Sequence, residues 1–426
     1  MDEIKYMDIS WDFRTDDTKI STHGFHTYPA MMIPQIARRL IEIYGEKSTV
    51  LLDPFMGSGT ALVEAKLHSN FKIAYGVDIN PLSRLIAKVK TTPIDEKILL
   101  DETKKLINKC CELKRDLLFC QTNIKTPTFG NIDYWFKKDV ITDLAIIKKC
   151  IESIELTDKD LEKNIKDFCL VAFSETVRYV SNTRNGEFKL YRIAEASLHK
   201  HNPDTLSEFE VKLSSNIKQM AIFNNEAHLC EIKILDEDSR YKTSIPSDSV
   251  DIIITSPPYG DSRTTVAYGQ FSRLSLEWLG FESKEVRQID KICLGGIPTK
   301  NLEHVLQSPS LEKTLIEIKS EDPERAKDVL SFYIDFNMCV NEINRVMKKG
   351  GFLCFVVGNR TVKGVKIPTD DIIVELFQAS NGYKHHKTIV RNIPNKRMPK
   401  KNSPTNVKGE LKSTMNEEYI VILEKE

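Results

Sequence analysis

The chain has 426 residues, 41% apolar and 29% charged, an ordinary balance for a protein with a buried core and enough length for a catalytic domain plus an insertion. Lysine plus arginine equals aspartate plus glutamate at 61 each, which excludes a polycation and confines any nucleic-acid contact to local patches. Nine cysteines without CxxC spacing or neighbouring histidine pairs argue against a structural zinc site and a secreted disulfide framework, so free thiols are expected.

At the N-terminus, Met1-Asp2-Glu3-Ile4-Lys5 lacks an apolar signal core, and no run approaches the roughly eighteen apolar residues of a membrane helix; a cytoplasmic protein is expected. His26-Thr27-Tyr28-Pro29-Ala30-Met31-Met32-Ile33-Pro34 reads as a loop entering a helix through Ile36, Leu40 and Ile43, with Pro34 suited to the first turn. Thr49-Val50-Leu51-Leu52-Asp53 is a short buried strand that runs into Pro54-Phe55-Met56-Gly57-Ser58-Gly59-Thr60 and then a helix over 61–67. Glycines 57 and 59 let the backbone approach a ligand, and the helix N-terminus favours an anionic group. About twenty residues on, Ile73-Ala74-Tyr75-Gly76-Val77-Asp78-Ile79 is a second strand ending in an acid, placed as in nucleotide-binding units where such an acid bonds ribose hydroxyls.

From Ile98 to about Leu229 the spacing is helical, with Leu99, Leu106, Cys110, Leu113 and Leu117 on one stripe and Leu144, Ile147, Ile151 and Ile154 on another. This predicts a helical insertion, 98–229, between two halves of one domain, 1–97 and 230–426. Within it, residues 178–192 interleave Arg178, Arg184, Lys189 and Arg192 with aromatic and amide side chains, a composition that suits phosphate and base contacts or a solvated interhelical loop.

Val250-Asp251-Ile252-Ile253-Ile254-Thr255 reads as a strand buried on both faces, and the prolines of Ser256-Pro257-Pro258-Tyr259 end it because neither can donate a ladder hydrogen bond. The turn presents a small hydroxyl, an exposed carbonyl and an aromatic ring at the edge of a sheet, a socket for a flat heteroaromatic base. Residues 261–268, with Arg263, form a lip, and 282–330 a charged excursion suited to target reading. Gly351–Asn359 is another core strand. Residues 384–408 carry eight Lys or Arg, two histidines and no acid; with Arg391, Lys396, Arg397, Lys400 and Lys401 among proline-stiffened backbone, they are expected to be a basic loop able to dock a phosphate chain. Glu418–Leu423 closes the chain as a final strand. The fold expected is α/β: a doubly wound, mostly parallel sheet, Rossmann-like, built from both ends of the sequence around the helical insertion.

DPFMGSGT, VDIN and SPPYG in this order, with HTYPAMMIP before them, resemble the S-adenosylmethionine-dependent amino-methyltransferases of DNA, which methylate N4 of cytosine or N6 of adenine. The resemblance covers residues 20–95 and 230–426. It implies S-adenosyl-L-methionine as cofactor, with Tyr28, Pro29, Asp53, Phe55, Gly57, Gly59 and Thr60 toward the methionine end and Asp78 with Ile79 at the ribose. Asp238 matches the acid for the adenine amino group, with Asp236 two residues away. Ser256, Pro257, Pro258 and Tyr259 would be catalytic on a base flipped from double-stranded DNA, most often cytosine where serine precedes Pro-Pro-Tyr, and a cognate restriction endonuclease is a possible partner. The same chemistry on RNA or on a protein amide, and a non-catalytic DNA-binding regulator, stay open at this stage.

Overall fold

The computed structural model describes residues 4–68, 70–119, 123–184, 186–261, 264–380, 382–394, 401–402, 412–413 and 416–426. Eight strands form one sheet: β1 (Lys5–Met7), β2 (Val50–Asp53), β3 (Ile73–Val77), β4 (Glu231–Leu235), β5 (Val250–Thr255), β6 (Met347–Val357), β7 (Tyr383–Asn392) and β8 (Glu417–Lys425). Their spatial order is β1-β7-β8-β6-β5-β2-β3-β4. Every neighbouring pair is parallel except the two that involve β8, which runs antiparallel to both β6 and β7. The expected doubly wound sheet is therefore present, and β1 beside β7 joins the two ends of the chain.

The apolar runs without alternation are explained by burial on both faces. In β5, Ile252 and Ile254 face one cluster with Leu40, Leu62 and Ala87, while Ile253 faces another with Phe336, Val340 and Phe377. β8 divides in the same way, Ile420 and Ile422 on one side, Val421 and Leu423 on the other. The helices that cover the sheet include α1 (Pro34–Tyr44), α2 (Thr60–Lys66) and α3 (Pro81–Thr91).

Residues 96–226 contribute four long helices, α4 (Glu96–Phe119), α5 (Lys138–Glu152), α6 (Lys159–Val180) and α7 (Thr205–Glu226). The stripes read from the sequence are the buried faces: Leu99, Leu106 and Cys110 on α4, with Leu144, Ile147 and Ile151 on α5, meet in one cluster. That cluster also takes in Leu82, Ile86 and Val89 of α3 and Phe271, Leu274 and Trp278 of α8 (Tyr268–Leu279), the helix after the Pro-Pro turn. The helical stretch is thus fastened to the two elements that flank the sheet edge where the site lies.

Two expectations need correction. Tyr383–Asn392, assigned to a basic loop, is β7; Thr388, Ile389, Val390 and Arg391 are buried because β1 and β8 flank it. Its charged N-terminal half, with solvent on alternate positions, hid the strand. β4 was also missed, because an edge strand only partly buried along its length carries little apolar signal. Among the described residues no helix is long and apolar enough to cross a membrane.

Candidate active site

Three strand ends meet at one opening. β2 stops at Asp53, β3 at Val77 with Asp78 beyond it, and β5 at Thr255 with Ser256 beyond it, and β2 lies between the other two. The cleft there encloses about 900 Å3 of atom-free space counting its open mouth. Tyr28, Pro29, Asp53, Phe55, Gly57, Thr60, Asp78, Ile79, Asp238, Ser256 and Pro258 all line it.

Asp78 organises the glycine turn. One carboxylate oxygen accepts from Gly57 N at 2.9 Å and the other from Asn80 N at 2.7 Å. The turn itself needs the left-handed backbone of Gly57 (φ 51°), and the Ser83 hydroxyl donates to the Gly57 carbonyl. Burial pushes the Asp78 carboxyl above its ordinary value, against the backbone bonds from Asn80 and Gly57. Asp53 is buried too and accepts from the Thr255 hydroxyl at 2.6 Å and Phe55 N at 3.2 Å. Desolvation nevertheless pushes its pKa up to about 7, with Asp78 adding to the rise.

Tyr28 places its ring where a Gly57 side chain would reach, 3.5 Å from an added Cβ, and its hydroxyl accepts from Asn80 Nδ2 at 3.1 Å. Phe55 stacks on Phe336 with centroids 6.2 Å apart. Gly59 does not line the cleft: a Cβ there would meet the Ala87 Cβ at 2.8 Å. Its glycine is required by the contact between α2 and α3 and by φ 81°. Asp236 and Asp238 are separated by the fold, since Asp236 is ion-paired to Arg84 at 2.7 Å with its side chain 74% exposed, outside the cleft. Asp238 lines it and receives both arms of the Arg240 fork, which also reaches Asp335 at 3.0 Å.

At the other wall, Pro257 is buried while Ser256 and Pro258 face the cleft. Tyr259 packs against the cluster containing Phe336, and its hydroxyl lies 3.4 Å from Ser256 Oγ and 3.3 Å from Glu418 Oε1. Glu418 was not anticipated as part of the site; it stands beside Glu417 at the start of the closing strand, where nothing in the sequence marks it out. Met32 and Met56, inside the HTYPAMMIP and DPFMGSGT stretches, also line the cleft, as do Tyr268 and Leu294, which belong to no motif.

Residues 3–88 match the DNA methylase family of N6 and N4 type. Over 432 positions the chain is 43% identical to the type II methyltransferase M.MvaI of Kocuria varians, a match covering 96% of this chain and 92% of that protein. The chain belongs to the N6/N4 DNA amino-methyltransferase family. The type II methyltransferase M.BsoBI of Geobacillus stearothermophilus is a more distant relative, 24% identical over 434 positions covering 88% of this chain and 83% of that one.

The methyl donor of this methyltransferase is S-adenosylmethionine, and the cleft suits it. It offers carboxylates for ammonium and hydroxyl groups, apolar walls, and the buried Ser58 hydroxyl without a hydrogen-bond partner among the described residues.

Two cations expected on DNA prove to be internal to the methyltransferase. Arg178 is buried, donates to the Phe271 carbonyl at 3.2 Å and to the Glu187 carbonyl, and stacks over the Phe271 ring at 4.0 Å; burial lowers its pKa to about 10. Arg391 is buried in β7, donating to Glu418 Oε2 at 2.7 Å and the Asp12 carbonyl at 3.2 Å. Neither has surface to give a phosphate. Arg184 is exposed beside Glu187 at 3.4 Å, Lys189 is half-buried, and Arg192 lies over the Tyr134 ring at 4.3 Å while paired with Glu195. Lys401 falls in a two-residue strand, Lys401–Asn402, paired with Lys412–Ser413; Arg263, Lys396, Arg397 and Lys400 lie outside the described residues.

Proposed function

We propose that the protein is the modification methyltransferase of a type II restriction-modification pair and methylates N4 of a cytosine flipped out of a specific duplex DNA site. The observation that carries this reading is the position of Ser256, whose turn leaves β5 directly into the wall of the cleft that Asp53 and Asp78 line. S-adenosylmethionine, when bound, supplies an electrophilic methyl on sulfur. The lone pair of an exocyclic amine is delocalised into its ring. Ser256 and the Pro257 carbonyl, by accepting hydrogen bonds from the NH2 group, would draw the nitrogen toward tetrahedral geometry and release that pair, while Tyr259 backs the ring and holds it in line. Asp53, Gly57 and Thr60 would hold the methionine end, Asp78 and Ile79 the ribose, and Asp238 the adenine amino group. A serine before Pro-Pro-Tyr favours cytosine over adenine by family resemblance, and the type II relatives favour DNA over RNA or protein.

Digesting DNA from cells expressing the protein to nucleosides and resolving them by mass spectrometry tests the target. N4-methyldeoxycytidine is expected; N6-methyldeoxyadenosine in its place would overturn the base while leaving the Ser256 chemistry standing. Methylation-sensitive sequencing of the same DNA gives the recognition site.

Cofactor affinity should depend on pH through Asp53. Burial pushes its pKa up to about 7, and the cofactor ammonium needs the ionised form, so affinity should fall roughly ten-fold from pH 8 to pH 6. Calorimetry on wild type and Asp53→Asn checks this, since the variant should lose the dependence. A parallel slope in both would remove Asp53 from the ammonium site.

Contacts to the phosphate backbone are expected from the basic stretch after β7. Neutralising Lys396, Arg397, Lys400 and Lys401 together should weaken binding to all duplexes alike and reduce the slope of log affinity against log salt by about 3 to 4 if each meets one phosphate. An unchanged slope would return the stretch to a solvated loop.

A further inference from the structure

Glu418 is the first residue but one of β8 and sits opposite Arg391 in the register of β8 with β7. Its two carboxylate oxygens are committed to different partners. Oε2 receives the Arg391 guanidinium at 2.7 Å, and Oε1 lies 3.3 Å from the Tyr259 hydroxyl. Arg391 is held in turn by the Asp12 carbonyl at 3.2 Å, and Asp12 accepts from Asn392 N at 2.8 Å, so the carboxylate is braced from the N-terminal segment through β7. The Tyr259 oxygen also lies 3.4 Å from Ser256 Oγ, where the heavy atoms allow either hydroxyl to donate. Such contacts are long in a free enzyme and tighten when a substrate fills the site.

A tyrosine hydroxyl has one proton, and a carboxylate can only accept. The Tyr259 proton is therefore drawn to Glu418, the stronger acceptor, and the Tyr259 oxygen is left to accept the proton of Ser256. We propose that Glu418, acting through Tyr259, is a positioning residue that fixes the polarity of Ser256, turning its proton inward and its lone pairs toward the cleft. This rests on the reading that Ser256 accepts from the target amine. With the chain of hydrogen bonds reversed, the same serine would present its proton to the amine and repel it. A free serine hydroxyl rotates between the two states; one locked from behind by a carboxylate that Arg391 pairs, against the burial that raises its pKa, does not.

Glu418→Gln tests the idea with almost no change of shape. The amide oxygen must turn to Arg391, which can only donate, so the NH2 group faces Tyr259, and the donor order through Tyr259 to Ser256 reverses. The direct readout is binding without turnover: affinity in the presence of S-adenosylhomocysteine for duplexes that carry the target base or its deaminated counterpart, uracil for cytosine or hypoxanthine for adenine. The counterpart presents a carbonyl oxygen where the amine was, so it calls for a donor. Wild type should prefer the amine, and Glu418→Gln should shift the ratio of the two affinities toward the carbonyl base by on the order of ten-fold. The ease of flipping cancels in the comparison of variants. Tyr259→Phe, which keeps the Glu418 and Arg391 pair, should give an intermediate ratio, and the double variant should match Tyr259→Phe, recovering turnover lost in Glu418→Gln. A role limited to holding the strands together would give no such recovery. An unchanged ratio in Glu418→Gln overturns the inference, as does an unchanged ratio in Tyr259→Phe should the first variant fail to fold. A wild-type protein that methylates neither base overturns the functional reading itself.

Discussion

Ser256→Ala is expected to lower kcat on cognate DNA by roughly a hundred-fold or more while leaving affinity for S-adenosylmethionine unchanged. The serine hydroxyl is proposed to act only on the target amine, and an acceptor aimed at charge that develops in the transition state is worth about 3 kcal/mol when removed from a site closed to water. Its place in the wall argues that its loss leaves the cofactor cleft intact, because the glycine turn and Asp78 follow β2 and β3 and hold each other without it. Tyr259→Ala should also stop turnover, but it removes a ring packed against the Phe336 cluster, which costs about 3 to 5 kcal/mol of stability, so Tyr259→Phe is the cleaner companion. Single-turnover methylation and calorimetry on the same protein separate the effects. If Ser256→Ala kept wild-type turnover, or lost cofactor and DNA binding together, the turn would be structural and the proposed chemistry would fail.

The second large effect is expected at Asp78. Asp78→Ala removes the acceptor of two backbone N–H groups at once, those of Gly57 and Asn80, and a buried donor left unpaired costs about 1 to 3 kcal/mol. It also removes the proposed ribose contacts. Cofactor affinity should fall on the order of a hundred-fold or more, with a lowered melting temperature in the free protein. Asp78→Asn should lie between, since an amide oxygen replaces one acceptor only. Gly57→Val belongs to the same experiment for a different reason. Its Cβ would sit at ordinary distance from Tyr28, so the damage comes from a β-branched residue at φ 51°, a strain of about 1 to 3 kcal/mol, and from methyl groups projecting into the cleft. Calorimetry that returned wild-type affinity in Asp78→Ala and Gly57→Val would remove the glycine turn from the cofactor site.

Elements whose pattern is local can be read from the residues alone. A strand with both faces buried shows as an apolar run without alternation, so most of β2, β3, β5, β6 and β8 was legible, and the glycine turn and the Pro-Pro turn were legible because glycine and proline are the residues that most strongly favour such backbones. The helices of residues 96–226 were legible from stripes such as Leu99, Leu106 and Cys110, which the fold buries. What a side chain does when its partner is far along the chain follows from the folded arrangement. Arg178 and Arg391 have the composition of phosphate contacts, yet one spends its charge on Phe271 and the other on Glu418, across 93 and 27 residues. Asp236 and Asp238 are equivalent on paper and separate only because Arg84 takes one and Arg240 the other. Glu418 shows the limit most sharply: it lies 159 residues from Tyr259, and its place beneath the turn exists because β8 inserts antiparallel between β6 and β7, a pairing that depends on register and burial rather than on any motif.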